Sequence, residues 1–248
     1  MKISLITAVL NRRSTIQDTL NSVKSQSYNN IEHVIIDGAS KDGTLDLLRK
    51  YSSAKTVLVS EKDSGIYHAL NKGIAHATGD VIGLVHSDDI LVHDDILTII
   101  AEAFTNPSID AVYGDLQYVS AIDTTRVVRH WKAGKYADFK LARGWMPPHP
   151  TLFVRKSVFE KFGVYDTSYR ISADYDAILR WFGSGQINTH YIPEVFVKMR
   201  VGGESNKSLQ KVIQKSREDY RALRSNKIGG LGALAWKNAS KIGQFFIR

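Results

Sequence analysis

Two pairs of adjacent aspartates, Asp88-Asp89 and Asp94-Asp95, stand in the segment VIGLVHSDDILVHDDIL at residues 81–97. Carboxylates side by side repel each other, so each pair needs a cation, a helix end or free water. The first pair closes an apolar, strand-like run. A hard divalent cation that keeps several waters and takes one or two carboxylates plus phosphate oxygens would suit it; a solvated pair is the alternative. The second pair precedes Leu97, Ile100 and Phe104 at helical spacing, where carboxylates cap free N–H groups and complement the positive helix end. Helix capping is its expected role.

Asp174 and Asp176 open SADYDAILRWF, where capping accounts for one of them and Arg180 lies close enough to pair with either. Asp37 and Asp63 each follow a strand-like run. Each could accept hydrogen bonds from a nucleobase edge or a ribose, yet DGASKDGT is equally rich in turn formers. His149 sits in GWMPPHPTLFV, which packs three of the chain's five prolines into four residues and so stiffens an extended loop. It is a pocket candidate. His33, His68, His76, His130 and His190 show no metal-binding spacing and take no role.

The elements that must carry these residues alternate between strand and helix. KISLITAVL, IEHVIIDG, KTVLVS and DVIGLVHS read as strands. Between them Ile16, Leu20 and Val23, then Leu45, Leu48 and Tyr51, then Tyr67, Leu70 and Ile74 recur at helical spacing. Such alternation predicts a mostly parallel sheet with helices on its faces, and ligands then bind outside the carboxyl ends of the strands. Asn11, Asp37, Glu61 to Ser64 and His86 to Asp89 occupy those ends. Farther on, IDAVYGDLQYV and TTRVVRHW read as a hairpin, and Ile178, Leu179, Trp181 and Phe182 read as core.

Composition narrows the classes. With no cysteine, disulfides and thiolate metal sites are excluded. The opening MKISLITAVLNRR is expected not to be a secretory signal, and no apolar run of about eighteen residues predicts a membrane span. Residues 200–248 hold 11 Lys and Arg against 3 Asp and Glu, which is the whole of the +8 charge. A neutral body with a basic tail points the tail toward something anionic.

The succession SLITAVLNR, VIIDGASKDGT, SEKDSGIYHALNKGIAHATGDVIGLVHSDDIL and SADYDAILR resembles the inverting family 2 glycosyltransferases of the GT-A fold. The likeness is greatest to bacterial enzymes of exopolysaccharide and O-antigen synthesis, including the colanic-acid type. It covers roughly residues 1 to 200 and implies an α/β, Rossmann-like sheet in a catalytic domain over 1–204; the basic amphipathic helical extension over 205–248 is read from charge and helical spacing, not from the resemblance. It also implies a nucleotide-sugar donor, with Thr7 and Asn11 at the end of strand one and Asp37 and Asp63 near base and ribose. Asp88 would lie by the ribose, and Asp89 would coordinate Mn2+ or Mg2+ on the diphosphate. Where many relatives carry Asp or Asn, this chain has His86. Asp174 matches the catalytic base, which takes the acceptor's proton as the hydroxyl attacks the anomeric carbon from the opposite face. Trp145 and His149 would shape the acceptor pocket, and RVGGES would lie over the donor.

The implied activity is hexosyl or deoxyhexosyl transfer to a glycan or lipid-linked acceptor. A final helix with Leu231, Leu234, Ala235, Ile242, Phe245 and Phe246 on one face, Lys237 and Lys241 elsewhere, and Trp236 nearby suits an anionic membrane surface. The expected location is cytoplasmic, peripheral at the inner face of the plasma membrane; a dimer contact competes. A nucleotidyltransferase would want a glycine-rich loop after strand one, where this chain reads TAVLNRRST. A non-catalytic sugar-nucleotide or glycan binder would not need both Asp88-Asp89 and Asp174. No nucleic-acid partner is expected, because the basic tail lacks an aromatic-studded recognition motif.

Overall fold

The computed structural model describes residues 1–202 and 209–239. Its first half is the expected α/β block. Strands β1 (Ile3–Val9), β2 (Ile31–Asp37), β3 (Thr56–Ser60) and β4 (Val81–Leu84) are parallel neighbours in the order β3-β2-β1-β4. Every residue of β1 is buried, because both faces of the sheet are covered. Ile3 and Leu5 point into one core and Ile6 and Ala8 into the other. Helices α1 (Ile16–Lys24) and α2 (Thr44–Tyr51) pack Ile16, Leu20 and Leu48 with Val9 and Ile35. Helix α3 (Ile66–His76) buries Tyr67, Leu70 and Ile74 with Ile6 and Ile36.

The chain builds outward from β1 to β3 and then returns to the other side of β1 with β4. The reversal opens a crevice between the carboxyl ends of β1 and β4, the place where open α/β sheets bind ligands.

Beyond it come β5 (Asp89–Leu91), α4 (Ile96–Ala103), the hairpin strands β6 (Ala111–Val119) and β7 (Val127–Trp131), and the short α5 (Asp138–Leu141). A 3-10 turn at His149–Thr151 leads to β8 (Phe153–Arg155), α6 (Lys156–Phe162), α7 (Ala173–Phe182) and β9 (Thr189–Arg200). Antiparallel β8 joins β4 to β6, and β9 runs parallel to β6 and carries β5 on its far edge. Strand β9 is not evident in the sequence because Pro193 interrupts its pattern. That proline sits where the β6–β9 register shifts, the kind of irregularity that tolerates a missing N–H.

Two expectations, for Asp94-Asp95 and for Lys237, need correction. Asp95 does occupy the N-cap position of α4, yet its carboxylate accepts from the Ser27 hydroxyl (2.8 Å). The free N–H of Leu97 is capped instead by Gln26 Oε1 (3.0 Å), reaching over from the end of α1. In α8 (Leu209–Ser225) the buried side is Asp219, Ala222 and Leu223, whereas Val212, Ile213 and Tyr220 are exposed. In α9 (Leu231–Ala239) Lys237 turns inward, pairs with buried Asp219 (2.9 Å) and lies 3.1 Å from the centroid of the Tyr175 ring. Lys241, Ile242, Phe245 and Phe246 lie outside the described residues, as do the last three residues of RVGGES.

Candidate active site

The turn between β4 and β5 carries the acidic pair, and four distant side chains hold its carbonyls. Thr7 donates to Val85 O (2.7 Å), Thr15 to Ser87 O (3.0 Å), Arg200 to Asp88 O (2.9 Å) and Thr19 to Asp89 O (2.7 Å). The two carboxylates then part. Asp88 is partly exposed at the crevice, and its side chain has no hydrogen-bond or ion-pair partner among the described residues. Asp89 begins β5, opposite Met199 of β9, and is fully buried with both carboxylate oxygens enclosed and unpartnered. Burial first, and the Asp88 charge second, push its carboxyl well above the usual carboxylate range; Arg200 pulls the other way.

Asp88 therefore offers its carboxylate to the crevice, whereas the Asp89 carboxylate is enclosed. Among the described residues no group of three or more acidic or histidine side chains could hold a metal by itself. One accessible, unspent carboxylate beside a crevice still fits Mn2+ or Mg2+, which take one or two carboxylates and complete their shell with phosphate oxygens and water.

Asp174 comes to the same place from the second half of the chain. It lies in the first turn of α7, and its Oδ1 is 3.1 Å from the Tyr67 hydroxyl of α3. His86 feels the charges of both Asp88 and Asp174, which raise its proton affinity, although burial outweighs them and holds the imidazole below its usual value. His149, buried in the proline loop, lies with its ring 6.0 Å from that of His86 and its Nε2 2.9 Å from the Tyr165 hydroxyl. Burial lowers it to about 4, against the pull of Asp174, so it is neutral at neutral pH. Asp176 is spent structurally on Arg180 (3.3 Å) and Asn226 (2.9 Å).

On the donor side the expected residues mostly shape the loops. Asn11 adopts a left-handed φ of 52° and accepts from Lys41 N–H (2.9 Å), so it joins the loops after β1 and β2. Asp37 is fully buried and accepts from the Ser60 hydroxyl (2.6 Å) and Ser40 N–H (3.1 Å). Asp63 pairs with Lys72 (2.7 Å). Thr7 is buried, and its hydroxyl, having donated its proton to Val85, accepts from Nε2 of buried His33 (2.9 Å). Trp145 donates to Ala133 O (2.8 Å) and packs against Tyr113 and Tyr136, so it braces the proline loop from behind.

Tyr67, Arg200 and Lys72 were not singled out by the sequence. Tyr67 reads there as one of three apolar positions on a helix face, and only its hydroxyl distinguishes it.

The glycosyl transferase family 2 model matches residues 4–163, which spans the crevice and both of its walls up to α6. The chain belongs to that family. This glycosyltransferase is 33% identical over 181 residues to an uncharacterized glycosyltransferase of Mycobacterium tuberculosis, covering 72% of this chain and 68% of that one. It is 30% identical over 219 residues to a PGL/p-HBAD biosynthesis glycosyltransferase of Mycobacterium bovis, covering 86% and 82%. Its fold matches Staphylococcus aureus TarS 1–349 in complex with UDP-GlcNAc (TM-score 0.69, 17% identity, 91% of this chain and 65% of that one). It also matches the mannosyltransferase PcManGT of Pyrobaculum calidifontis in complex with GDP-Man and Mn2+ (0.67, 18%, 98% and 74%). The chain spans 44% of a longer TarS chain.

Proposed function

We propose that this glycosyltransferase moves a sugar, with inversion, from a nucleoside-diphosphate donor to a hydroxyl of a glycan or lipid-linked acceptor in bacterial surface-glycan synthesis. The observation that carries the reading is that Asp88, from the donor half, and Asp174, from the acceptor half, both lie close enough to His86 for their charges to act on it. An unspent carboxylate beside the donor crevice and a second one at the start of a helix are the two parts that a single displacement needs.

Asp88 would hold Mn2+ or Mg2+ together with the donor diphosphate. Bound there, the ion supplies Lewis-acid neutralisation of the leaving group. Asp174 receives the proton of the acceptor hydroxyl. The new bond forms at the anomeric carbon on the face opposite the breaking sugar–phosphate bond, and the nucleoside diphosphate leaves with that bond's electrons. Neutral His149 and the neighbouring His86 both lie within reach of the Asp174 charge, and their ring nitrogens can hydrogen-bond sugar hydroxyls.

The donor class is supported by the UDP-GlcNAc and GDP-Man complexes of TarS and PcManGT, and the surface-glycan setting by the PGL/p-HBAD relative. We assign the acceptor to an exopolysaccharide, O-antigen or glycolipid unit, the colanic-acid type among them. The residues that touch donor and acceptor belong to the domain 1–204, and 205–248 direct the enzyme to the cytoplasmic face of the plasma membrane as a peripheral protein. In favour of that location, Leu231 and Trp236 of α9 are exposed, and the Arg143 guanidinium lies near the rings of both Trp236 and exposed Phe139. Among the described residues no helix is long and apolar enough to cross a membrane.

A thermal-shift panel of UDP, GDP and dTDP sugars with and without Mn2+ tests the donor reading. A donor that binds only the folded chain raises its melting temperature. The expected result is a rise for one donor that needs Mn2+; a panel flat across all donors refutes the reading.

A further inference from the structure

We infer that Glu218 of α8 is a positioning residue for Asp174, so that the C-terminal helix completes the acceptor side of the active site. The inference rests on the reading of Asp174 as the base.

Asp174 stands in the first turn of α7, two residues beyond Ser172, which ends a turn that has no regular structure of its own. One carboxylate oxygen of Glu218 accepts from three consecutive backbone N–H groups of that turn: Arg170 (3.2 Å), Ile171 (2.8 Å) and Ser172 (3.0 Å). The other oxygen accepts from Gln214 Nε2 (2.9 Å), one helical turn back along α8, which fixes the rotamer. A carboxylate that gathers several N–H groups forms charge-assisted bonds, stronger than those between neutral partners. It also satisfies donors that precede the helix and puts negative charge at its positive end.

From the other side the turn is held by the donor half. The carbonyl of Ile171, whose N–H goes to Glu218, accepts from the Tyr67 hydroxyl (2.5 Å), and the same hydroxyl is 3.1 Å from Asp174. The peptide units beside the base are therefore clamped between α3 and α8. One turn farther along α8, Arg221 donates to Ser168 Oγ (2.7 Å) and lies over the Tyr169 ring (4.2 Å). Thus residues 168–172, leading into the base, are templated by a helix that lies beyond the segment matched by the family model.

The clamp matters because a shift of about 1 Å in a proton acceptor can cost on the order of a hundredfold in rate. Losing Glu218 frees three N–H groups and lets the turn move, while Asp88, the β4–β5 turn and the donor crevice are untouched. A role confined to stability would lower the melting temperature without separating kcat from KM.

The experiment uses the full chain and three variants, Glu218→Ala, Glu218→Gln and Asp174→Asn, each checked for folding by circular dichroism. Hydrogen exchange by mass spectrometry reads residues 166–173, calorimetry with UDP and Mn2+ reads donor-site binding, and kinetics use the nucleotide sugar that stabilises the chain. Glu218→Ala is expected to speed exchange in 166–173 and to lower kcat about 10- to 100-fold, with donor KM and UDP affinity within about twofold of wild type. Glu218→Gln, whose amide oxygen still accepts, should recover part of both losses. Unchanged exchange in Glu218→Ala, or wild-type kcat in it beside an inactive Asp174→Asn, overturns the inference alone. Wild-type turnover in Asp174→Asn overturns the base assignment and the inference with it. If Glu218→Ala does not fold, Glu218→Met, of similar length but unable to accept the three bonds, takes its place, and wild-type exchange and kcat in it have the same force.

Discussion

The Tyr67 hydroxyl is 3.1 Å from Asp174 although 107 residues separate them in the chain. Burial, and then the Asp174 charge, hold the phenol well above its ordinary pKa, so it stays protonated and acts as a donor. Its single proton goes first to the Ile171 carbonyl (2.5 Å) and more weakly to Asp174 Oδ1 (3.1 Å), so the hydroxyl ties that carboxylate oxygen to the turn before it.

Asp174→Asn is accordingly expected to bind donor as wild type does and to lose transfer. Tyr67→Phe removes one hydrogen bond, at about 1 kcal/mol of stability, and is expected to lower kcat with donor KM unchanged. Steady-state kinetics alongside urea melts check both. A Tyr67→Phe enzyme with wild-type kcat would show that the hydroxyl serves only the Ile171 carbonyl.

Asp88 and Asp89 should separate in the same way under mutation. Asp88→Asn is expected to abolish the Mn2+-dependent part of nucleoside diphosphate binding without lowering the melting temperature. Asp89→Asn replaces an enclosed carboxyl, already driven toward its neutral form, by a neutral group of similar shape. It should retain Mn2+-dependent binding and change stability by no more than about 1 kcal/mol. Calorimetric titration of each variant decides, and the reverse pattern would return the metal to Asp89.

Membrane attachment has a surface signature. Phe139, Leu231 and Trp236 are each more than half exposed, whereas α9 is tied down from beneath. Gly144 allows that close approach: a Cβ there would lie 2.4 Å from Lys237 Cβ, and its φ of +75° disfavours any other residue. Replacing the three exposed apolar residues by serine should leave the fold intact and abolish flotation with phosphatidylglycerol vesicles. Undiminished flotation would rule this patch out as the contact.

Acid should weaken the fold in a defined window. His33 and His149 are both lowered to about 4 by burial, so between about 6.5 and 4 the unfolded chain binds protons that the folded chain refuses. Stability is therefore retained above about 6.5 and falls as pH drops through that window, by at most roughly 3 kcal/mol per histidine. Glu32 adds a lower step. Its burial is outweighed by bonds from Lys2, Ser4 and Thr78 that bring it to about 2, so its contribution is lost below its ordinary value. Urea midpoints measured from pH 8 to 4 should show the histidine step, and His33→Gln, which keeps a donor for Thr7, should make it smaller.

Much of the first half was legible in the sequence because its signals are local. Each strand of the parallel block is an apolar run, each helix repeats its buried residues at helical spacing, and the polar residue ending each strand falls at the ligand-binding edge. For the same reason the hairpin β6–β7 and the core residues of α7 were visible. Strand β9 was not, since Pro193 broke the pattern at a bulge.

Charge and periodicity in the sequence determined that aspartates would stand at the ligand-binding edge of a parallel sheet and at the start of a later helix, and that the tail would be basic; a donor and a base were implied only by the family resemblance. They did not determine which carboxylate of an adjacent pair is free. That was decided when β4 ended at Leu84 and Asp89 entered a ladder with Met199, more than a hundred residues away. Neighbours in the chain have identical composition and spacing, and only the strand that arrives beside them turns one into the core and leaves the other in water. The same holds for Gln26 capping α4 and for Glu218 clamping the turn before Asp174, because a hydrogen bond is set by proximity in space, which a one-dimensional pattern does not carry.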